Sequence, residues 1–98
     1  MLNLIAEAIR DKAVLEFYYD GGERTVEPHC CGYGKDGQEL LRCYQVAGFS
    51  NSGRQPPWRL MRIEKIENIR RTGQHFDSPR DGYNPERDAH IPNVIAMI

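Results

Sequence analysis

Between Trp58 and Arg71 the chain gathers Trp58, Arg59, Arg62, Lys65, Arg70 and Arg71. Arginine presents a planar fork of donors that matches two oxygens of a phosphate or carboxylate. An indole beside it presents a face on which a base can stack. Residues 54–75 carry six basic and two acidic side chains, a local charge of +4 in a chain of net charge −1. There is no global basic field to coat nucleic acid, but a local patch of this kind suits the binding of an anion. The competing reading is a solvated face whose arginines pair with Glu64, Glu67 and the acidic segment 76–98, each pair contributing ~0–1 kcal/mol.

His29, Cys30, Cys31 and Cys43 raise two other chemistries, metal ligation and Cys/His nucleophilic catalysis. Zinc ligands come in pairs separated by two to four residues. Cys30 and Cys31 are adjacent, so on a strand they point to opposite faces and at most one joins a given site. No sequence signal marks a cysteine as activated. Gly-rich phosphate loops, nucleophile elbows and metalloprotease motifs are absent. Asp77 and Asp81 lie in a stretch poor in regular structure. The expectation is therefore no catalytic residue, no metal and no cofactor, with the cysteines acting as small buried apolar groups.

The elements that must position the arginines are short. Leu2, Ile5 and Ile9 make one apolar stripe of an N-terminal helix. Ala13 to Tyr19 alternates as a strand, Asp20-Gly21-Gly22 signals a tight hairpin, and Arg24 to His29 returns, with Pro28 at the edge or end of that strand. Gly32, Gly34 and Lys35-Asp36-Gly37 supply a turn. Glu39 to Phe49 is the longest β-like run. After a loop containing Ser50-Asn51-Ser52-Gly53 and Pro56-Pro57, strands are expected at 58–63 and 66–71. In the former, Trp58, Leu60 and Arg62 share one face while Arg59, Met61 and Ile63 share the other. That places Arg59 at a rim, where Arg24 can converge on it. One helix and about five short strands predict a mainly β domain, a small closed or partly open barrel over residues 1–75. Residues 76–98 are expected to form an irregular arm whose apolar end, Val94 to Ile98, docks on the barrel or on a second copy as a homodimer contact.

The order Leu15-x-Phe17-x-Tyr19, Arg24-x-Val26-x-Pro28 and Arg59-x-Met61-Arg62-Ile63-Glu64-Lys65-Ile66 resembles the WYL domain family over residues 4–70. That resemblance implies an Sm-like, SH3-type barrel. It also implies a regulatory role, since the family's members usually follow a helix-turn-helix in bacterial transcription regulators and are thought to sense nucleic acid or nucleotide-like ligands. It assigns Arg24, Arg59 and Arg62 to the ligand, with Lys65 at a position often basic in the family and Tyr44 or Trp58 as the stacking group. The family's naming tripeptide is replaced by Glu39-Leu40-Leu41 in one register and Cys43-Tyr44-Gln45 in another. One short helix precedes the barrel, so operator binding through a helix-turn-helix is not expected. The implied partners are single-stranded nucleic acid or a nucleotide.

Length, cysteine usage and hydropathy set the frame. The chain has 98 residues, enough for one modest core. Three cysteines do not make a disulfide framework, the N-terminus lacks the cationic start of a signal peptide, and no run approaches the ~20 apolar residues of a membrane span. The expected setting is a reducing cytoplasm, away from membranes.

Overall fold

The computed structural model describes residues 1–50, 57–84 and 88–98. The molecule is mainly β, with one N-terminal helix, α1 (Leu2–Arg10), and a single antiparallel sheet. Its strands are β1 (Ala13–Tyr19), β2 (Gly22–Tyr33), β3 (Glu39–Gly48), β4 (Trp58–Arg62), β5 (Glu67–His75) and β6 (Asn93–Met97). A single 3-10 turn, Ile63–Lys65, joins β4 to β5.

The first hairpin follows its sequence signal. Tyr19 pairs with Gly22, leaving Asp20 and Gly21 as a two-residue loop with φ of 44° and 103°. Positive φ at both central positions gives a turn whose twist matches that of the strands. The sheet runs in the order β4-β3-β2-β1-β5, so β4 and β5 are its two ends.

Strand β2 departs from the sequence reading, which ended it at His29 and made Gly32 part of a turn. It continues to Tyr33 because it has two successive partners on one edge. Residues up to Val26 pair with β1, and residues from Cys30 pair with β6. Pro28 sits between these ladders, where its missing N–H removes no β1 or β6 bond. Gly32 is needed because a Cβ there would collide with Asn93 O and the Ile91 side chain. The expected fourth strand ends one residue early, in the 3-10 turn, and the fifth extends to His75. The apolar C-terminal stretch packs on its own chain as strand β6.

The main core lies between the sheet and α1. Ile5, Ala6, Ala8 and Ile9 bury one helix face against Leu15, Phe17, Val26, Cys31, Leu41, Cys43, Met61, Ile63 and Ala96. A smaller cluster of Cys30, Leu40 and Ile91, with Tyr83 against it, fills the opposite face. The adjacent cysteines therefore serve separate cores, as strand alternation requires. Residues 76–92 contribute no helix or strand among the described residues. Tyr83 and Ile91 from this stretch pack on that opposite face, beside Cys30 and Leu40.

No helix among the described residues is long and apolar enough to cross a membrane. The position of β6 has a direct test. Ala96 is 5% exposed in the main core, whereas Val94 is 43% exposed. Ala96→Asp is expected to cost roughly 3 kcal/mol, since it buries a charge. Val94→Thr is expected to stay within about 0.5 kcal/mol of the parent chain. Urea denaturation of both variants checks this.

Candidate functional site

Cross-strand pairing decides which arginines meet. Arg24 pairs with the core residue Phe17, and Arg59 pairs with the core residue Cys43. Directly opposed residues share a face, so both arginines leave the sheet on its core side. They line one pocket of about 270 Å³ with Tyr19, Asp20, Trp58, Leu60 and Met61.

Arg24 is 3% exposed and is held by neutral oxygens. Its Nε and Nη2 donate to Tyr19 O at 3.1 and 2.8 Å, Nη2 also to Asp20 O at 3.3 Å, and Nη1 to Gln45 Oε1 at 3.4 Å. The Tyr19 and Phe49 rings lie 5.5 and 5.4 Å from its guanidinium carbon. Arg24 thus clamps the hairpin carbonyls.

Arg59 extends nearer the opening. Its Nη2 donates to Ser50 Oγ at 3.3 Å. Burial and the neighbouring charge of Arg24 lower its pKa from the ordinary arginine value. The two guanidinium groups line one space.

Arg62 does not join them. It pairs with Leu40 on the outer face and lines a different groove with Lys35, Leu60 and His90. Its side chain is about half exposed and lies 3.6 Å from Glu64. Lys65 is exposed on the 3-10 turn. Arg70 meets Glu23 at 2.8 Å and Glu16 at 3.7 Å, and Arg71 meets Asp11 at 2.9 Å. The acids that pair with Arg70 and Arg71 belong to the helix end and the first hairpin.

The two aromatic candidates are occupied by their own chain. Tyr44 and Trp58 oppose each other on the outer face, ring centroids 5.3 Å apart. Arg80 sits over the Tyr44 ring at 4.7 Å, and Tyr83 lies nearly parallel to Trp58 at 6.0 Å. Trp58 Nε1 donates to Asp81 O at 2.9 Å.

Beneath these groups lies a buried polar cluster that sequence reasoning missed. The Glu27 carboxylate, 6% exposed, accepts two bonds from Arg80, Nε to Oε1 at 2.7 Å and Nη2 to Oε2 at 3.0 Å. His29 is fully buried among Trp58, Phe76 and Tyr83. The Arg80 backbone N–H donates to His29 Nε2 at 3.1 Å, so that nitrogen is bare. The ring proton must then sit on Nδ1, which donates to Glu27 O at 2.8 Å. Burial lowers the His29 pKa from 6.5 and holds the ring neutral. Nearby, Arg42 donates to both Asp88 oxygens, at 2.8 and 3.1 Å. About 50 residues separate Glu27 and His29 from Arg80, and no spacing rule spans that gap.

Among the described residues no group of three or more His, Cys, Asp or Glu is placed to hold a metal. The thiols are poor nucleophiles. Burial pushes Cys30 and Cys31 up to about 11 and Cys43 up to about 12. Comparison of the chain with protein-family models, with curated proteins and with solved structures gives no match.

The thiol values give a measurable consequence. A rise from 9.0 to about 11 at Cys30 and Cys31 cuts the thiolate fraction about a hundredfold. At pH 8 the three cysteines are expected to react with a disulfide reagent at least about a hundredfold more slowly in the folded chain than in urea, where all three react together.

Proposed function

We propose that this chain is a WYL-like regulatory module, a partly open SH3-type barrel that binds a nucleic-acid strand or nucleotide-like anion at Arg24 and Arg59. The observation that carries this reading is the shared pocket. Two guanidinium groups from different strands face it, and the oxygens that hold Arg24 are all neutral. Carbonyl dipoles solvate a cation without neutralising it. Asp20 also lines the pocket. An incoming phosphate or carboxylate relieves the repulsion between the arginines and gains charge-assisted bonds.

The barrel part of the reading draws on the core. Ile63 and Ile66, between the end strands β4 and β5, are buried in the same cluster as Leu15 and Leu41. The Arg62 backbone N–H also donates to the Tyr19 hydroxyl at 3.0 Å, tying β4 to β1 across the sheet. The pocket volume restricts the ligand. About 270 Å³ is slightly less than the roughly 300 Å³ at which pockets enclose a drug-sized molecule. It accepts one anionic group with part of what bears it, the rest lying outside along Trp58 and Leu60. Arg62 and Lys65 act as outlying positive charges for a longer strand.

Binding of a fluorescent single-stranded oligonucleotide, followed by anisotropy at low salt, tests the reading. Affinity should fall as salt rises. Arg59→Ala should weaken binding about tenfold and make the log–log salt slope shallower by about 0.7. Arg71→Ala, outside the pocket, serves as the control. If the parent chain does not bind at low salt, or if Arg59→Ala and Arg71→Ala behave alike, the reading fails.

A second reading is favoured by strand β6, where Val94, Ile95 and Met97 are all more than a third exposed. In it the chain is an assembly module that pairs through this strand with another copy. Sedimentation should then give a dimer for the parent chain and a monomer for Ile95→Asp. A monomeric parent chain excludes it.

A further inference from the structure

Residues 76–84 lie across the outer face of the sheet and are held by side-chain and single backbone bonds, with no ladder. At one end Phe76 is buried and its N–H donates to Lys12 O at 3.0 Å. Beyond the other end Ile91 is 1% exposed. Between these anchors the contacts converge on a few groups of the sheet. Arg80 pairs with Glu27 and covers Tyr44, the Arg80 N–H meets His29 Nε2, and Asp81 O receives the Trp58 indole. Tyr83 packs on Trp58 and His29, and its hydroxyl donates to His29 O at 3.3 Å. Gly82 permits the turn that makes this possible. Its φ is 91°, and a Cβ there would lie 3.0 Å from Trp58 Nε1.

We propose that residues 76–84 are a strap released by protonation of His29, and that release uncovers Tyr44, Trp58 and the Glu27 carboxylate. The bistable element is the imidazole. Neutral, it accepts the Arg80 N–H on Nε2 and donates from Nδ1. Protonated, Nε2 also carries a hydrogen, two donors face each other, and a charge stands in a fully buried site. Opening the strap gives that nitrogen to water. Local opening sacrifices the strap's own contacts and leaves the sheet ladders and main core in place, so it is cheaper than unfolding the chain.

The groups facing His29 set the balance. Glu27, on the same strand, attracts the proton, and Arg80, from the strap, repels it. Tyr83 faces it from the strap, while Trp58 from β4 and Phe76 carry no charge. Asp77, Asp81 and His75 line the neighbouring space with Glu27 and Arg80. The sign follows from linkage. The closed state holds His29 below its ordinary value of 6.5, and the open state restores that value. Opening therefore takes up a proton. Strap stability is complete above about pH 6.5 and declines as pH falls toward the closed-state value. This inference stands apart from anion binding at Arg59.

The test is amide exchange on the whole chain by NMR from pH 7.5 to 5.0, corrected for intrinsic rates. Acrylamide quenching of Trp58, the only tryptophan, accompanies it. Protection at the Arg80 amide should fall about tenfold per pH unit below about 6.5. Quenching should rise over the same range of falling pH, while protection at Leu15 and Leu41 persists. His29→Gln, which keeps an acceptor and does not titrate, should abolish the dependence. Constant protection at Arg80, simultaneous loss at Leu41, or an unchanged dependence in His29→Gln would each overturn the proposal. If that variant does not fold, the His29 ring titration in the parent chain decides. The ring must titrate below 6.5, within the range over which protection at Arg80 falls, and titration outside that range overturns the strap.

Discussion

The fold turns on the point where β2 exchanges one neighbour for another. One edge of this strand is lined by β3, and the other is divided between β1 and β6. At the division stand Glu27, Pro28 and His29, with no β1 or β6 partner. Buried backbone groups must still be satisfied, and these are met individually. Proline has no N–H to satisfy. Glu27 O accepts from the His29 ring, and His29 O accepts from Ile98 N–H at 3.0 Å and from the Tyr83 hydroxyl. The C-terminal segment is thus fixed to the sheet where the ladder is interrupted, and the register of β6 follows.

Two buried charges are handled in opposite ways on the two faces. Glu27 meets a counter-ion in a paired, two-bond contact with Arg80. Arg24 meets only neutral oxygens among its hydrogen-bond partners. A paired carboxylate presents little field to a neighbour, whereas a cation solvated by carbonyls keeps its charge. Glu27 on the outer face is thus neutralised by its own chain, whereas the oxygens that hold Arg24 on the core side carry no charge.

This division explains what could be read from the sequence. The strands were legible because Leu15, Phe17, Leu41 and Cys43 alternate with more polar or outward-facing neighbours. The hairpin was legible because Asp20-Gly21 names its own turn. The faces of β4 followed from Met61, and with them the separation of Arg59 from Arg62. The continuation of β2 was not legible. It depends on β6, about 60 residues away, and Gly32 looked like a turn residue when it was needed for close approach. The Glu27–Arg80 pair and the committed His29 nitrogens were hidden for the same reason. Their partners come from a segment whose three prolines and acidic composition carry no periodicity. The loop at 51–56 lies outside the described residues.

Trp58 connects the two faces. It sits on β4, an end strand of five residues with a single ladder, to β3. A strand held on one edge is positioned as much by side-chain contacts as by backbone bonds. Here those contacts come from Tyr44 and His29 on the sheet and, from residues 76–84, through Asp81 O and the Tyr83 ring. The same indole lines the Arg24–Arg59 pocket and the outer cavity bounded by Arg42, Tyr83 and Asp88. The shape of the Arg24–Arg59 pocket is therefore set partly by residues 76–84, none of which lines it.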